Sequence, residues 1–100
     1  MMTRDEYVQK LKAQLDQWNG EIAKWEEKSR AAQTKLKADY DKQLKAFRSR
    51  RDEAMQQLRK VQAASGEAWM DVMHGADEAW TRLSEAFSKA RSHFEKKERE

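Results

Sequence analysis

The sequence predicts an all-α protein, namely an elongated helical hairpin that assembles with further copies as a coiled-coil or helical-bundle oligomer. Apolar residues recur in steps of three and four along nearly the whole chain, which keeps one side of an α-helix apolar. No proline interrupts this stripe. Charged residues make up 39% of the 100 residues and hydrophobic residues 38%, which suits long helices better than a thick core. We therefore expect residues 1–100 to form one helical domain.

The first element is a long helix over residues 3–64. It begins with Thr3-Arg-Asp-Glu6, the pattern of a capping box, in which side chain and backbone of Thr3 and Glu6 bond reciprocally. Asn19-Gly20 is a common turn signal, but the apolar spacing passes through it without a slip. We therefore expect a helical glycine at this position, with a turn as the alternative.

The better break lies at residues 65–66, and it separates the long helix from a shorter one over residues 67–97. Gly66 can adopt the left-handed conformation that ends a helix, and Ser65 can help to cap the next one. The first half of the second helix is acidic and its second half is mainly basic, which complements the helix dipole. Gly75 is expected only to soften this helix. A continuous rod is the alternative to the turn.

In this hairpin the two helices pack along their apolar stripes. Trp80 then faces the region of Arg51 and Phe94 faces the region of Lys37, because opposed positions are symmetric about the turn. Arg51 is the one charged residue on the stripe. We expect it to stack on Trp80 with its guanidinium in water, and a register-setting role is the alternative. The residues predicted to pack within the chain are Leu36, Leu44, Phe47, Leu58, Val61, Trp69, Val72, Trp80, Leu83, Phe87 and Phe94.

The first helix is about 90 Å long and the second about half that, so residues 8–32 lack a partner in the same chain. An exposed apolar strip of this kind usually marks an interface, and a second copy is the simplest way to cover it. The alternative is a bend near residues 30–35 that makes a three-helix bundle, although no glycine or proline marks it. The predicted oligomer interface is Val8, Leu11, Leu15, Trp18, Ile22, Trp25 and Ala32.

No residue pattern predicts a catalytic, cofactor or metal site, and we expect neither an enzyme nor a small-molecule substrate. The chain has no cysteine, which excludes a disulfide and a thiolate nucleophile. Asp71 and His74 lie one helical turn apart, but a metal centre in a helix bundle needs at least two such pairs. We expect His74 to lie at the surface or at the edge of the helix seam.

Two other partners are alternatives to self-association. Residues 42–60 form the only locally basic segment, which could contact nucleic-acid phosphates, but the net charge of +3 is too balanced to indicate such a partner. Without a base-reading motif a solvated face is preferred. The helix over residues 67–94 could instead lie on a membrane surface, although its tryptophans fall on the stripe, where core packing is the usual explanation.

The repeat length changes along the chain. Residues 8–36 keep a heptad, whereas the steps 36-40-44-47 add up to an eleven-residue repeat. Glu67-Ala-Trp69 and Glu78-Ala-Trp80 are the same tripeptide. With the opening Thr3-Arg-Asp-Glu-Tyr-Val-Gln-Lys-Leu, these motifs resemble a family of small bacterial coiled-coil stress-response proteins with apolipoprotein-like eleven-residue repeats. The resemblance implies a cellular context but no functional residues.

The function we expect is therefore that of a non-catalytic, self-associating structural or adaptor protein with a role under stress. The first residues lack the apolar core of a signal peptide, and no apolar run approaches the length of about 20 residues that crosses a bilayer. We accordingly expect a cytoplasmic protein.

Overall fold

The computed structural model describes the backbone of residues 2–99 and the side chains of residues 2–95. It contains three helices, α1 (Arg4–Ala31), α2 (Thr34–Ala63) and α3 (Ala68–Arg99). The all-α prediction is confirmed for these residues. The helices lie side by side in a bundle of 52 × 18 × 17 Å, in which α2 is antiparallel to its two neighbours and α1 is therefore parallel to α3.

The start of α1 confirms the predicted capping box. The Glu6 amide donates to the Thr3 hydroxyl at 3.1 Å, and the Thr3 amide donates to the Glu6 carboxylate at 3.4 Å. The helix continues through Gly20 to Ala31. The alternative of a turn at Asn19-Gly20 is therefore wrong, and the unbroken apolar spacing was the better guide.

The prediction of one helix over residues 3–64 is wrong at Ala32 and Gln33. Both residues are extended, with φ −79° and ψ 154° at Ala32 and φ −68° and ψ 158° at Gln33. Any residue adopts these angles, so the break needs neither glycine nor proline. It lets α1 fold back and bury its stripe, and each large apolar side chain buried contributes about 1.5–3 kcal/mol. The prediction of a two-helix hairpin is therefore wrong, and the alternative of a three-helix bundle with a bend near residues 30–35 describes the fold.

The second connection lies where the turn was predicted. Helix α2 ends at Ala63, Gly66 has a φ of 58°, and α3 begins at Ala68. The amide of Ala64 donates to the Lys60 carbonyl at 3.1 Å, which satisfies one of the acceptors left open at the end of α2. The pairing of α2 with α3 is shifted by about one helical turn from the prediction. Phe94 stacks on Tyr40 at 4.2 Å between ring centroids, whereas the prediction placed it opposite the region of Lys37.

The core runs the length of the bundle and contains side chains from all three helices. Of the residues predicted to pack within the chain, Leu36, Trp69 and Val72 are half-buried against this core and the others are buried. Ser29 is the buried polar residue on the α1 stripe, where its hydroxyl donates to the Asp41 carboxylate. The stripe of each helix is thus covered by the other two.

Candidate functional site

The most distinctive feature of the bundle is a series of stacked rings between α1 and α3, which we call the aromatic ladder (Trp18, Trp25, Trp80, Phe87 and Phe94). The ring centroids of Trp18 lie 6.5 Å from Trp80 and 5.4 Å from Phe87. Those of Trp25 lie 5.2 Å from Phe87 and 5.1 Å from Phe94. Rings from the two helices alternate because both helices repeat them every seven residues and run in the same direction.

Helix α2 closes the ladder from the third side. Tyr40 stacks on Phe94, and Phe47 meets Phe87 edge-on at 6.1 Å. Offset stacks and edge contacts at these distances contribute about 0.5–1.5 kcal/mol each beyond the area they bury. Burial also raises the pKa of the Tyr40 phenol. The backbones of α1 and α3 lie further apart than those of the other two helix pairs. The large rings between them hold these two helices together.

Polar contacts of Tyr7 and Trp80 set the position of α1 along α3. The Tyr7 phenol donates to the Asp77 carboxylate at 2.5 Å, and burial together with this carboxylate raises the pKa of Tyr7. The indole N–H of Trp80 donates to the Gln14 side-chain oxygen at 3.0 Å. Because each hydrogen bond is specific in direction, a slip of α1 along α3 would leave partly buried donors without partners.

Polar contacts between α1 and α2 are spread along the length of the two helices. At one end the Arg4 guanidinium donates to the Ala64 carbonyl at 2.5 Å. Near the other end the Ser29 hydroxyl donates to Asp41. Between them the Glu26 carboxylate lies 3.3 Å from the Arg48 guanidinium. These contacts fix the register of the antiparallel pair.

The predicted oligomer interface lies inside this arrangement. Val8, Leu11, Leu15, Trp18, Ile22 and Trp25 are buried by the other two helices of the same chain, and Ala32 is half-buried at the end of the stripe. The premise that residues 8–32 have no intrachain partner is therefore wrong, because the break at Ala32 and Gln33 returns α1 to its own bundle. Whether the same face also binds a second copy stays a prediction.

A groove between α2 and α3, which we call the basic groove, is lined by basic side chains that are distant in sequence. Its lining includes Lys42 and Arg50 from α2, and Arg82 and Lys89 from α3, with Glu85 among them. Arg50 also pairs with Glu53 at 3.1 Å. The sequence singled out the α2 half within residues 42–60 but not the α3 half. The signal was present, because Arg82 and Lys89 are seven residues apart and share one helix face.

Arg51, Asp71 and His74, which the sequence also singled out, lie outside the aromatic ladder and the basic groove. Arg51 has its Nε atom 3.8 Å from the Asp52 carboxylate, whereas the ring of Trp80 contacts Trp18. Asp71 and His74 are both exposed. Within residues 2–95, no group of three or more His, Asp or Glu side chains is placed to hold a metal ion.

The membrane alternative would use side chains that the bundle covers. Trp80, Leu83 and Phe87, on the apolar face of residues 67–94, lie in the core. Contact with an apolar surface would therefore require α3 to leave α1 and α2. None of the three helices, as far as they are described, is long and apolar enough to cross a membrane. Lipid binding stays a prediction.

In comparisons with known proteins, no family model matches the chain, and neither a curated protein nor a solved structure does. The resemblance to small bacterial coiled-coil stress-response proteins accordingly stays a prediction, based on the motifs between Thr3 and Trp80.

Proposed function

We propose that the protein is a non-catalytic, cytoplasmic adaptor that acts by self-association of its helices, with a role under stress. The observation that supports this most directly is the aromatic ladder. It is a helix-in-groove interface, in which one amphipathic helix lays its rings into a groove formed by two others. Rings of this kind dominate the energy of interfaces between chains.

The position of the ladder supports the same proposal. It joins α1 to the rest of the chain, and α1 is connected to α2 only through Ala32 and Gln33. A helix that is attached by so short a connection and held mainly by side chains is an exchangeable unit. The groove on α2 and α3 accepts α1 whether it comes from the same chain or from another.

Sedimentation equilibrium over a range of protein concentrations tests this function. We expect a mass above 11.9 kDa at the highest concentrations. The variant Trp18→Ala with Trp25→Ala should lose helical structure and association together, because both rings leave the groove that holds α1 in the single chain and in the oligomer. Trp69→Ala is the matched control, since its ring is half-buried outside the ladder. Circular dichroism measures how much helix each variant keeps, and Trp69→Ala should keep both its helix and its association. A wild-type mass that remains monomeric throughout would refute the proposal.

A second candidate function is electrostatic binding of nucleic acid, and the basic groove is the observation that favours it. Four cations from two helices surround one shallow surface, namely Lys42, Arg50, Arg82 and Lys89. A phosphate backbone bound there would release counterions, so the affinity should fall steeply with added salt.

The charge reversal Arg82→Glu with Lys89→Glu tests the basic groove. The readout is the fluorescence anisotropy of a labelled single-stranded oligonucleotide. The matched control is Lys10→Glu with Lys35→Glu, which makes the same change in net charge on exposed positions away from the groove. Equal losses of affinity in the two variants would mean that net charge alone causes the effect. That result would refute the basic groove as a binding site.

A further inference from the structure

We propose that two copies of this chain exchange α1, and that the residues between α1 and α2 become helical when they do so. In the exchanged dimer each chain has one long helix over residues 4–63, and its α1 portion lies in the groove formed by α2 and α3 of the other copy. This inference deepens the proposed self-association and rests on it, because it names the partner and the mechanism.

The connection between α1 and α2 is composed of residues that favour a helix. Ala31 and Ala32 are of the type with the highest helix propensity, and Gln33 is also a good helix former. All three have negative φ, since no residue other than Gly66 has a positive φ among those described. By contrast, the α2–α3 connection depends on Gly66 at φ 58°, which other residues adopt only with strain. Only the first connection can become helical at low cost.

The start of α2 also lacks the features that stabilise a helix end. Gln33 occupies the N-cap position without a side-chain hydrogen bond, and no acidic residue lies in the first turn of α2. Helix α1 has both features, with the Thr3 capping box and acidic residues in its first turn. In a continuous helix the uncapped amides at the start of α2 would bond to carbonyls of α1. The break therefore leaves backbone donors that exchange would satisfy.

The apolar stripe keeps its phase across the break. Trp25, Ser29, Ala32, Leu36 and Tyr40 follow in steps of four, three, four and four, so a continuous helix places them along one side. We call the three-helix bundle of a single chain the closed bundle. Trp25, Ser29 and Tyr40 are buried in it. Ala32 and Leu36 are only half-buried. A sequence that needed only the closed bundle would have no reason to preserve this phase through the connection.

The contacts between α1 and α2 show where the second copy would lie. The residue numbers of Arg4 with Ala64, and of Ser29 with Asp41, each sum to about 70. The same pairs can therefore form between two antiparallel long helices related by a two-fold axis near residue 35. Leu36 would then lie beside the axis, where the other copy covers it. A second copy of this chain is the occupant whose ring spacing matches the groove at every step of the ladder.

Closed and exchanged forms share the ladder and the α1–α2 contacts, so the connection and the protein concentration decide between them. Gln33→Pro is the variant that separates the two forms. Proline fixes φ near −65° and restricts the preceding residue to extended angles, which are the conformations of Gln33 and Ala32 in the closed bundle. The Gln33 amide donates no hydrogen bond in the described part of the chain. The closed bundle therefore accepts proline, whereas the continuous helix does not.

We expect Gln33→Pro to raise the dissociation constant of the dimer about 10⁴-fold, because each dimer has two connections and interior proline disfavours a helix about 100-fold at each. Gln33→Ala is the matched control and should leave the dissociation constant unchanged. Each protein is refolded from urea at high concentration before sedimentation equilibrium, so that slow opening does not hide exchange. A dimer that Gln33→Pro leaves equally stable would overturn the inference.

A cross-link gives an independent readout. The chain has no cysteine, so Ser29→Cys with Asp41→Cys introduces one pair at a position where two short side chains touch. Oxidation should join two chains covalently in the exchanged dimer, and Ser29→Cys alone should not. A dimer that contains only intrachain cross-links refutes exchange and leaves self-association standing. A protein that is monomeric at every concentration refutes both.

Discussion

Replacing Trp25 with alanine tests whether the aromatic ladder stabilises the bundle. The Trp25 ring is 4% exposed and stacks on Phe87 and Phe94 at 5.2 and 5.1 Å. Truncating a buried aromatic residue to alanine costs about 3–5 kcal/mol, through lost burial and the cavity left behind. Because a domain of this size is stable by about 5–15 kcal/mol, the variant should lose at least about a fifth of its stability.

Urea denaturation followed by circular dichroism, at one protein concentration, measures this loss. A fall of about 2 M in the urea midpoint is expected for Trp25→Ala. Trp69→Ala is the matched control, because Trp69 is half-buried with one ring neighbour, Tyr7, at 5.8 Å. It should lose about 1–2 kcal/mol. Equal losses in the two variants, or a loss below about 1 kcal/mol for Trp25→Ala, would refute the energetic role of the ladder.

The remaining predictions concern two glycines and one phenol. Gly20→Ala should stabilise the protein by about 1 kcal/mol, because Gly20 is helical and a Cβ there meets nothing within 4 Å. Gly66→Ala should destabilise it by about 1–2 kcal/mol because of the positive φ; thermal melts compare the two, and shifts of the same sign would contradict this account. The pKa of Tyr7 is raised on folding, so its contribution is complete below the unfolded pKa of about 10 and is lost as pH rises above it. Tyr7→Phe should therefore lessen the fall of the urea midpoint between pH 9 and 11, and an unaltered fall would count against the contact with Asp77.

Local signals in the sequence predicted the features that depend on local chemistry. The capping box at Thr3 and the turn at Gly66 each need particular residue types, and such residues stand there. The apolar stripe also predicted which side of each helix faces inward. These predictions succeed because capping, left-handed backbone and amphipathic spacing involve neighbours along one helix.

The break at Ala32 and Gln33 could not be predicted in this way. Its angles suit any residue, so no residue type marks it. What favours it is the burial of the α1 stripe against α3, a contact between residues about 60–70 positions apart in the chain. The basic groove escaped detection for a similar reason, because its two halves meet only once Lys42 and Arg82 are brought together by the packing of α2 on α3.

Each helix runs antiparallel to the one before it, so α3 ends at the opposite end of the bundle from the start of α1. The first turn of α1 and the last turn of α3 point away from each other at opposite ends of the 52 Å long axis. Tension applied between those ends would load the aromatic rings in shear, all at once, instead of peeling one helix away rung by rung.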